Sequence, residues 1–243
     1  MSSLISLYLS ILSLIPQGDF KNSQLKYPRV KNAFEESEKN IQEIFSAKKI
    51  NYKQTKIFLR AFKQENLLEL WAENSENKFV KIKEYSICNA SGILGPKRKE
   101  GDLQVPEGLY HIQVFNPTSS FHLSLGINYP NASDQILSDK KRPGGDIFIH
   151  GSCASIGCLA MTDDFIKEIY PICVLAKDAG QNLIPVHIFP FKMNTENWTK
   201  NIGEFPELVN FWTQIRVFYD YFETNKKIGK FSFDKKGNYS LIK

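Results

Sequence analysis

The sequence is short of everything that would place it in a specialised class. Four cysteines in 243 residues are far below the density of a disulfide-built scaffold, so each is weighed by its own neighbours. Fourteen glycines and eleven prolines exclude collagen-like and low-complexity chains. No apolar run reaches the roughly 20 residues a helix needs to cross a bilayer. Charge of one sign is not in excess: 31 Lys+Arg against 26 Asp+Glu leave +5, too mild and dispersed to require nucleic acid, though compatible with an anionic polymer. Aromatics are what is plentiful. Eighteen Phe and ten Tyr favour sheet packing over a helical bundle.

Residues 4 to 15, LISLYLSILSLI, carry no charge and precede Pro16, Gln17, Gly18 and Asp19. They fit the apolar region of a signal peptide, although the positive leader and a clean small-residue cleavage site are missing. A buried or membrane-skimming first helix is the alternative. Residues 1–18 are therefore a signal peptide or membrane-proximal segment, and 19–50 a helical region in which Val30, Phe34, Ile41, Ile44 and Phe45 recur at helical spacing. KIFLRAF, LLELWAE and KFVKIKEYSICNA (56 to 90) read as a strand meander, continued by GLYHIQVF (108 to 115), FHLSLGI (121 to 127) and DIFIHG (146 to 151). Asp163 and Asp164 open a helix that Gly180 ends, and LIPVHIF (183 to 189) returns to a strand. The core unit is set at 51–190. Residues 191–243 form a C-terminal extension of one or two aromatic-rich helices and a hairpin, KFSFDKKGNYSLI. The fold class is α+β: one β-rich domain with helical additions at the N- and C-termini.

The densest chemistry lies in IFIHGSCASIGCLAMTDD, 147 to 164. An apolar strand runs into His150-Gly151, and a small-residue loop delivers Cys153, Ser155, Gly157 and Cys158 ahead of a helix. At a helix start Cys158 would gain from the macrodipole and from free N–H groups, which lower a thiol's pKa and can hold an oxyanion. His150 could take the thiol proton, while Gly151, Gly157 and Ser155 give the loop its freedom. A lone Cys is ordinarily a small buried hydrophobe and a strand-end His ordinarily just hydrogen-bonded; their joint placement is what raises the functional reading. Cys88 and Cys173 read as core thiols. His150, Cys153 and Cys158 could be soft metal ligands, but the H-x2-C-x4-C spacing is not a usual zinc arrangement and no fourth ligand lies near, so neither metal nor cofactor is expected. A Cys153–Cys158 bond would close a very short loop and be a redox off-state rather than a scaffold bond; replacing Cys153 is expected to be mild. His122, Arg142 and Lys97 are substrate-binding candidates, His122 by facing a cleft from its strand and the other two by pairing with a peptide carboxylate.

These residues resemble the active-site loop of the L,D-transpeptidase catalytic domain, the YkuD-type family, and particularly its YafK-like murein branch. The wider family has a His-Gly pair and then, after a longer loop, a Ser/Thr-His-Gly-Cys element; here the pair is His150-Gly151 and the element Ser155-Ile156-Gly157-Cys158. The short loop and Ile156 in place of the inner His depart from it. Both are typical of the YafK-like branch, whose pattern resembles IHG-x-C-x-S-x-G-C-x-A-M-T-D and is matched from Ile149 to Asp163. SGILGPKRKEGDLQVPEGLYHI, FNPTSSFHLSLGINYPNASD and the late FW...YDYFE extend the resemblance across roughly residues 50 to 225.

The resemblance implies a YkuD-like mixed-sheet sandwich for the core, with Cys158 as nucleophile and His150 as its base. It implies an exported enzyme of the periplasm or cell envelope, acting on peptidoglycan stem peptides or a lipoprotein attached to them. Hydrolysis at diaminopimelate is the expected outcome, because Ser133 to Gly145 supplies only one short polar connection and leaves the cleft open to water. Cross-linking by an amine acceptor and a non-catalytic wall-binding module are the rivals.

Overall fold

The computed structural model describes residues 18–242; the apolar segment 4–15, read as a signal peptide, lies outside the described residues. Eight strands form one mixed sheet in the order β3-β2-β1-β8-β4-β5-β6-β7. They are β1 (Ile57–Phe62), β2 (Leu67–Glu73), β3 (Phe79–Ser86), β4 (Gly108–Asn116), β5 (Ser124–Ile127), β6 (Phe148–His150), β7 (Leu159–Ala160) and β8 (Ile184–Phe189). The pairs β1·β8 and β6·β7 are parallel and the others antiparallel. The chain is thus α+β on a mixed sheet, as its sequence implies.

Strand β1 sits inside the sheet and every residue of it is buried. Alternation sends Ile57, Leu59 and Ala61 into one apolar core and Phe58 and Phe62 into others. The first core is covered by α2 (Pro28–Ser46) and α4 (Asp163–Asp178). In α2, Pro28 opens the helix where a missing N–H costs nothing, and Val30, Ala33, Phe34, Ile41 and Phe45 form its buried stripe. A shorter α1 (Asp19–Leu25) packs on α4. Helix α4 is capped by the Thr162 hydroxyl, which accepts from the Phe165 N–H at 3.3 Å, with Asp163 and Asp164 in its first turn and Lys177 in its last. Across the sheet lie α5 (Thr195–Glu204), α6 (Val209–Asn225) and the hairpin β9 (Lys230–Phe233) and β10 (Tyr239–Ile242), their Trp212, Ile215, Phe218 and Tyr239 meeting Phe62, Leu109 and Phe189.

Charged side chains pin these layers where apolar packing alone would let them slide. Glu168 of α4, buried, accepts from Lys83 Nζ at 2.8 Å and from Tyr85 and Asn40, joining sheet and both helices. Glu107 is fully buried and accepts from Lys63 Nζ at 3.0 Å, the Gly95 N–H at 2.6 Å and Trp212 Nε1 at 2.8 Å.

Several boundaries differ from the sequence reading. The strand read over 121–127 begins only at Ser124, because His122 takes a left-handed conformation with φ 67. The strand read to Ala90 stops at Ser86, and a capping box between Asn131 and Asp134 starts an unforeseen helix, α3 (Ala132–Leu137).

Removing Glu107 strands the Lys63 ammonium in a site where burial already pulls its pKa down. Glu107→Ala is expected to cost about 3–5 kcal/mol, the usual penalty for orphaning a buried charge, read as a lower urea midpoint; the double change Glu107→Ala/Lys63→Met should recover much of it.

Candidate active site

A cleft of about 480 Å³ opens at the β5–β6–β7 end of the sheet, and His150, Ser155 and Cys158 all line it. The register explains why. Ile149 pairs with Leu159 and His150 with Ala160, and matched positions on parallel strands face the same way. Ile149 and Leu159 are buried in the core; Phe148, His150 and the Cys158 position therefore share the opposite, cleft-facing side.

Sulfur placement comes from backbone. The Phe148 N–H donates to Cys158 Sγ at 3.4 Å, and the thiol donates to the Asp146 carbonyl at 3.6 Å. His150 is buried and its Nδ1 lies 2.6 Å from the Gly151 carbonyl. A carbonyl can only accept, so Nδ1 carries the proton and Nε2 keeps the lone pair. The Phe121 ring packs over the imidazole, centroids 4.7 Å apart.

Ser155 organises the loop between them. Its Oγ accepts from the N–H groups of Gly157 at 3.3 Å and Cys158 at 3.0 Å and donates to the Cys158 carbonyl at 2.7 Å. The donors expected to be free for an oxyanion are thus held by Ser155 here. Gly157 has φ +130, and a Cβ there would come within 3.2 Å of the Gln104 carbonyl. At Gly151 a Cβ would stand 2.6 Å from Asp163 Oδ1, which also accepts the Ser152 N–H.

The expected helix-start thiol is corrected by the intervening strand β7: α4 begins only at Asp163, beyond the reach of its dipole on Cys158. Burial instead pushes the Cys158 thiol above its ordinary range, with the Phe148 N–H opposing. Burial also pulls His150 below its ordinary value, with the Gly151 hydrogen bond opposing. Both groups are neutral at neutral pH.

The cysteine assignments also change. Cys88 is bonded to Cys153, with Cα atoms 5.4 Å apart, so Cys88 is no core thiol and Cys153 is not a partner for Cys158. The bond removes Cys153 as a metal ligand as well. Asn89 Nδ2 donates to the Cys153 carbonyl at 3.1 Å, and residue 89 bridges to Ala160, so the catalytic loop is tied to the end of β3 twice over. Cys173 is a free, buried thiol, as read. Spacing gave no sign of a partner 65 residues upstream.

Of the substrate-binding candidates, none lines this cleft. Lys97 is buried, its Nζ 2.6 Å from Asp102. Arg142 forms an exposed pair with Glu100 at 2.9 Å. His122 turns away with its left-handed backbone, and its carbonyl accepts from Arg29. The sequence reading missed Phe121, Asp146 and the Phe148 N–H, two of which act through atoms every residue type has.

The L,D-transpeptidase catalytic domain model of the YkuD family matches residues 58–188. The chain is 36% identical over 173 residues to "Putative L,D-transpeptidase YafK" of Escherichia coli K12, covering 70% of this chain and 68% of that one. Among solved structures it is similar to the helical cell shape determining protein Pgp2 of Campylobacter jejuni (TM-score 0.45, 18% identity, 74% of this chain and 73% of that one). It is also similar to Bd1075 of Bdellovibrio bacteriovorus (TM-score 0.41, 22% identity, 70% and 63%). Against the Pgp2 K307A variant it spans about half of that chain, 49%.

Opening the Cys88–Cys153 bond frees a long loop, and the chain-entropy picture puts the loss at about 4 kcal/mol. Cys88→Ser, Cys153→Ser and mild reduction of the wild type should each lower Tm by about 10 °C. Equal Tm values by calorimetry would deny the tether.

The neutral pair sets the pH behaviour. With the base shifted down, the acid limb of kcat/KM should have its midpoint below the ordinary 6.5. In His150→Ala, alkylation of Cys158 by iodoacetamide should follow a thiol titrating above the ordinary 9.0. In the wild type, an alkylation plateau reached already near pH 6 would instead mean a resting thiolate–imidazolium pair.

Proposed function

The chain belongs to the YkuD-type L,D-transpeptidase catalytic domain family, and from that premise we propose that it is an exported cysteine acyl-transfer enzyme that acts on peptidoglycan stem peptides. The observation that carries the reading is the shared cleft: a free thiol on Cys158 and an imidazole on His150 whose proton is parked on Nδ1.

From these positions Nε2 of His150 takes the thiol proton as Sγ attacks an amide carbonyl, so nucleophile and general acid are generated in one step from a neutral pair. The Phe148 N–H supports the charge growing on sulfur. As the tetrahedral oxygen becomes anionic it displaces Ser155 Oγ as acceptor for the Gly157 and Cys158 N–H groups, while Ser155 keeps its bond to the Cys158 carbonyl. The imidazolium then protonates the departing amine, leaving a thioester. Water, deprotonated by the same Nε2, releases the acid and restores the thiol.

Water is favoured as acceptor because no residue from 133 to 145 lines the cleft, and α3 and its following turn fold toward Arg98 and Glu100 instead. The bond cut is accordingly an amide at diaminopimelate, releasing an attached peptide or lipoprotein. An extracytoplasmic setting is supported by the Cys88–Cys153 disulfide.

Incubation of sacculi with the purified protein, then digestion and mass spectrometry, tests the reading. Freed peptide without new diaminopimelate–diaminopimelate dimers is expected, with loss of release in Cys158→Ala and a drop of about 10² to 10⁴ in His150→Ala. Dimers or incorporated D-amino acids without release make it a transpeptidase. Sacculi bound equally by wild type and Cys158→Ala, with nothing released by either, make it a wall-binding module.

A further inference from the structure

The protein is positively charged overall, +5, yet the cleft around the thiol is not. Its polar lining consists of Asn116, Ser119, Ser120, Ser124 and Ser155, all uncharged, the neutral His150, and one carboxylate, Asp146. The nearest basic groups are spoken for. Lys97 is held by Asp102, and Arg29 donates to the carbonyls of Ser119 at 2.5 Å and His122 at 2.9 Å from behind the loop. Asp146 lines the cleft and is exposed, and its carboxylate makes no hydrogen bond or ion pair among the described residues.

Its position is fixed by backbone. Asp146 follows Pro143-Gly144-Gly145 and takes a left-handed conformation, φ 54, which Asp tolerates better than most residues. That conformation directs its carbonyl at the Cys158 thiol, 3.6 Å away. The Asp146 carboxylate also acts on the sulfur itself, its charge disfavouring the thiolate of Cys158.

We infer that Asp146 is a specificity-determining residue whose carboxylate selects acyl donors carrying an ammonium group on the side chain of the residue whose carbonyl Cys158 attacks. The inference rests on the reading of Cys158 as the attacking thiol. A diamino acid with one amine in the peptide chain and the second free meets the requirement, since the free amine is protonated at neutral pH. Acylation of that amine removes the attraction and leaves only negative charge facing Asp146.

Two measurements test it, one of which needs no substrate. Cys88 and Cys153 are bonded and Cys173 is buried, so Cys158 is the accessible thiol. Cationic 2-aminoethyl and anionic 2-sulfonatoethyl methanethiosulfonate each transfer their thiol half to the Cys158 thiolate, forming a mixed disulfide and releasing methanesulfinate. Their rate ratio is normalised to the ratio measured with 2-mercaptoethanol. The wild type should favour the cation by about fivefold, as expected for one partly exposed charge, and the preference should fall as salt is raised. Asp146→Asn and Asp146→Gly both accept the left-handed backbone and should abolish it. The second measurement compares kcat/KM for a diaminopimelate-containing tetrapeptide with that for the same peptide acetylated on its free amine: the wild type should prefer the free amine, and Asp146→Asn should lose that preference. A reagent ratio near unity in the wild type, insensitive to salt or unchanged in both variants, overturns the inference, as does a peptide preference that survives in Asp146→Asn. If neither peptide is turned over by the wild type, the reading of function fails, and the reagent ratio decides the charge selection by itself.

Discussion

The parallel pairing of Phe148–His150 with Leu159–Ala160 is the contact on which the site depends, because it alone puts the thiol and the imidazole on one side of the sheet. A slip of one residue would turn Cys158 into the core and bring Leu159 to the cleft. A two-residue strand cannot hold its register unaided, and the structure surrounds it with fixings. Ala160 is bracketed on its other side by the 88–89 segment, whose N–H groups donate to its carbonyl at 2.8 and 3.3 Å and whose Asn89 carbonyl accepts its N–H at 3.1 Å. The Met161 N–H closes the ladder on the His150 carbonyl at 2.7 Å. The disulfide then anchors the loop to the same 88–89 segment, so register, loop and tether are one arrangement.

Burial that fixes the pair also sets its reactivity. Packing Phe121 over His150 and enclosing the sulfur between two backbone groups removes water that would stabilise either charge. Imidazolium and thiolate are both disfavoured, so the pair rests neutral. A helix start would have favoured a standing thiolate, the form most open to oxidation. The strand placement instead holds the sulfur as a thiol.

The larger elements were legible in the sequence because burial dictates their pattern. Leu67–Glu73 and Ile184–Phe189 show the apolar content of strands with both faces covered, and α4 carries its cap, acidic first turn and terminal glycine in plain view. The motif likewise delivers His150 and Cys158 to one cleft. What sequence hid was of two kinds. Short features decided by tertiary contacts, β7 and α3, leave no period to read, and φ 67 at His122 breaks an alternation that looks continuous in FHLSLGI. Pairings between distant positions, Cys88 with Cys153 and Lys63 with Glu107, depend on which strand ends and loops meet in the fold, which no local window contains.

Stability and chemistry occupy different parts of the same sheet. Its β3-β2-β1 half is immobilised from both faces, by Glu168 drawing α2 and α4 onto β3 and by Glu107 drawing α6 onto the end of β1, with Arg60 paired to Glu69 at 2.8 Å and to Glu223 of α6 at 2.6 Å between them. These buried charges add little net energy beyond apolar packing, but each is satisfied by only one arrangement of helices on strands. The strands thus reach the β6–β7 edge with a defined twist and register. There, on the side away from α4, the chain places its conformationally awkward residues, Asp146, Ser152 and Gly157, all at positive φ, around the thiol, and Asp146 aims its carbonyl at the sulfur. Such residues are tolerated only where the surrounding structure over-determines them. The helical additions at the two ends of the chain therefore contribute to the site, α2 directly through Arg29 on the carbonyl of the cleft-lining Ser119.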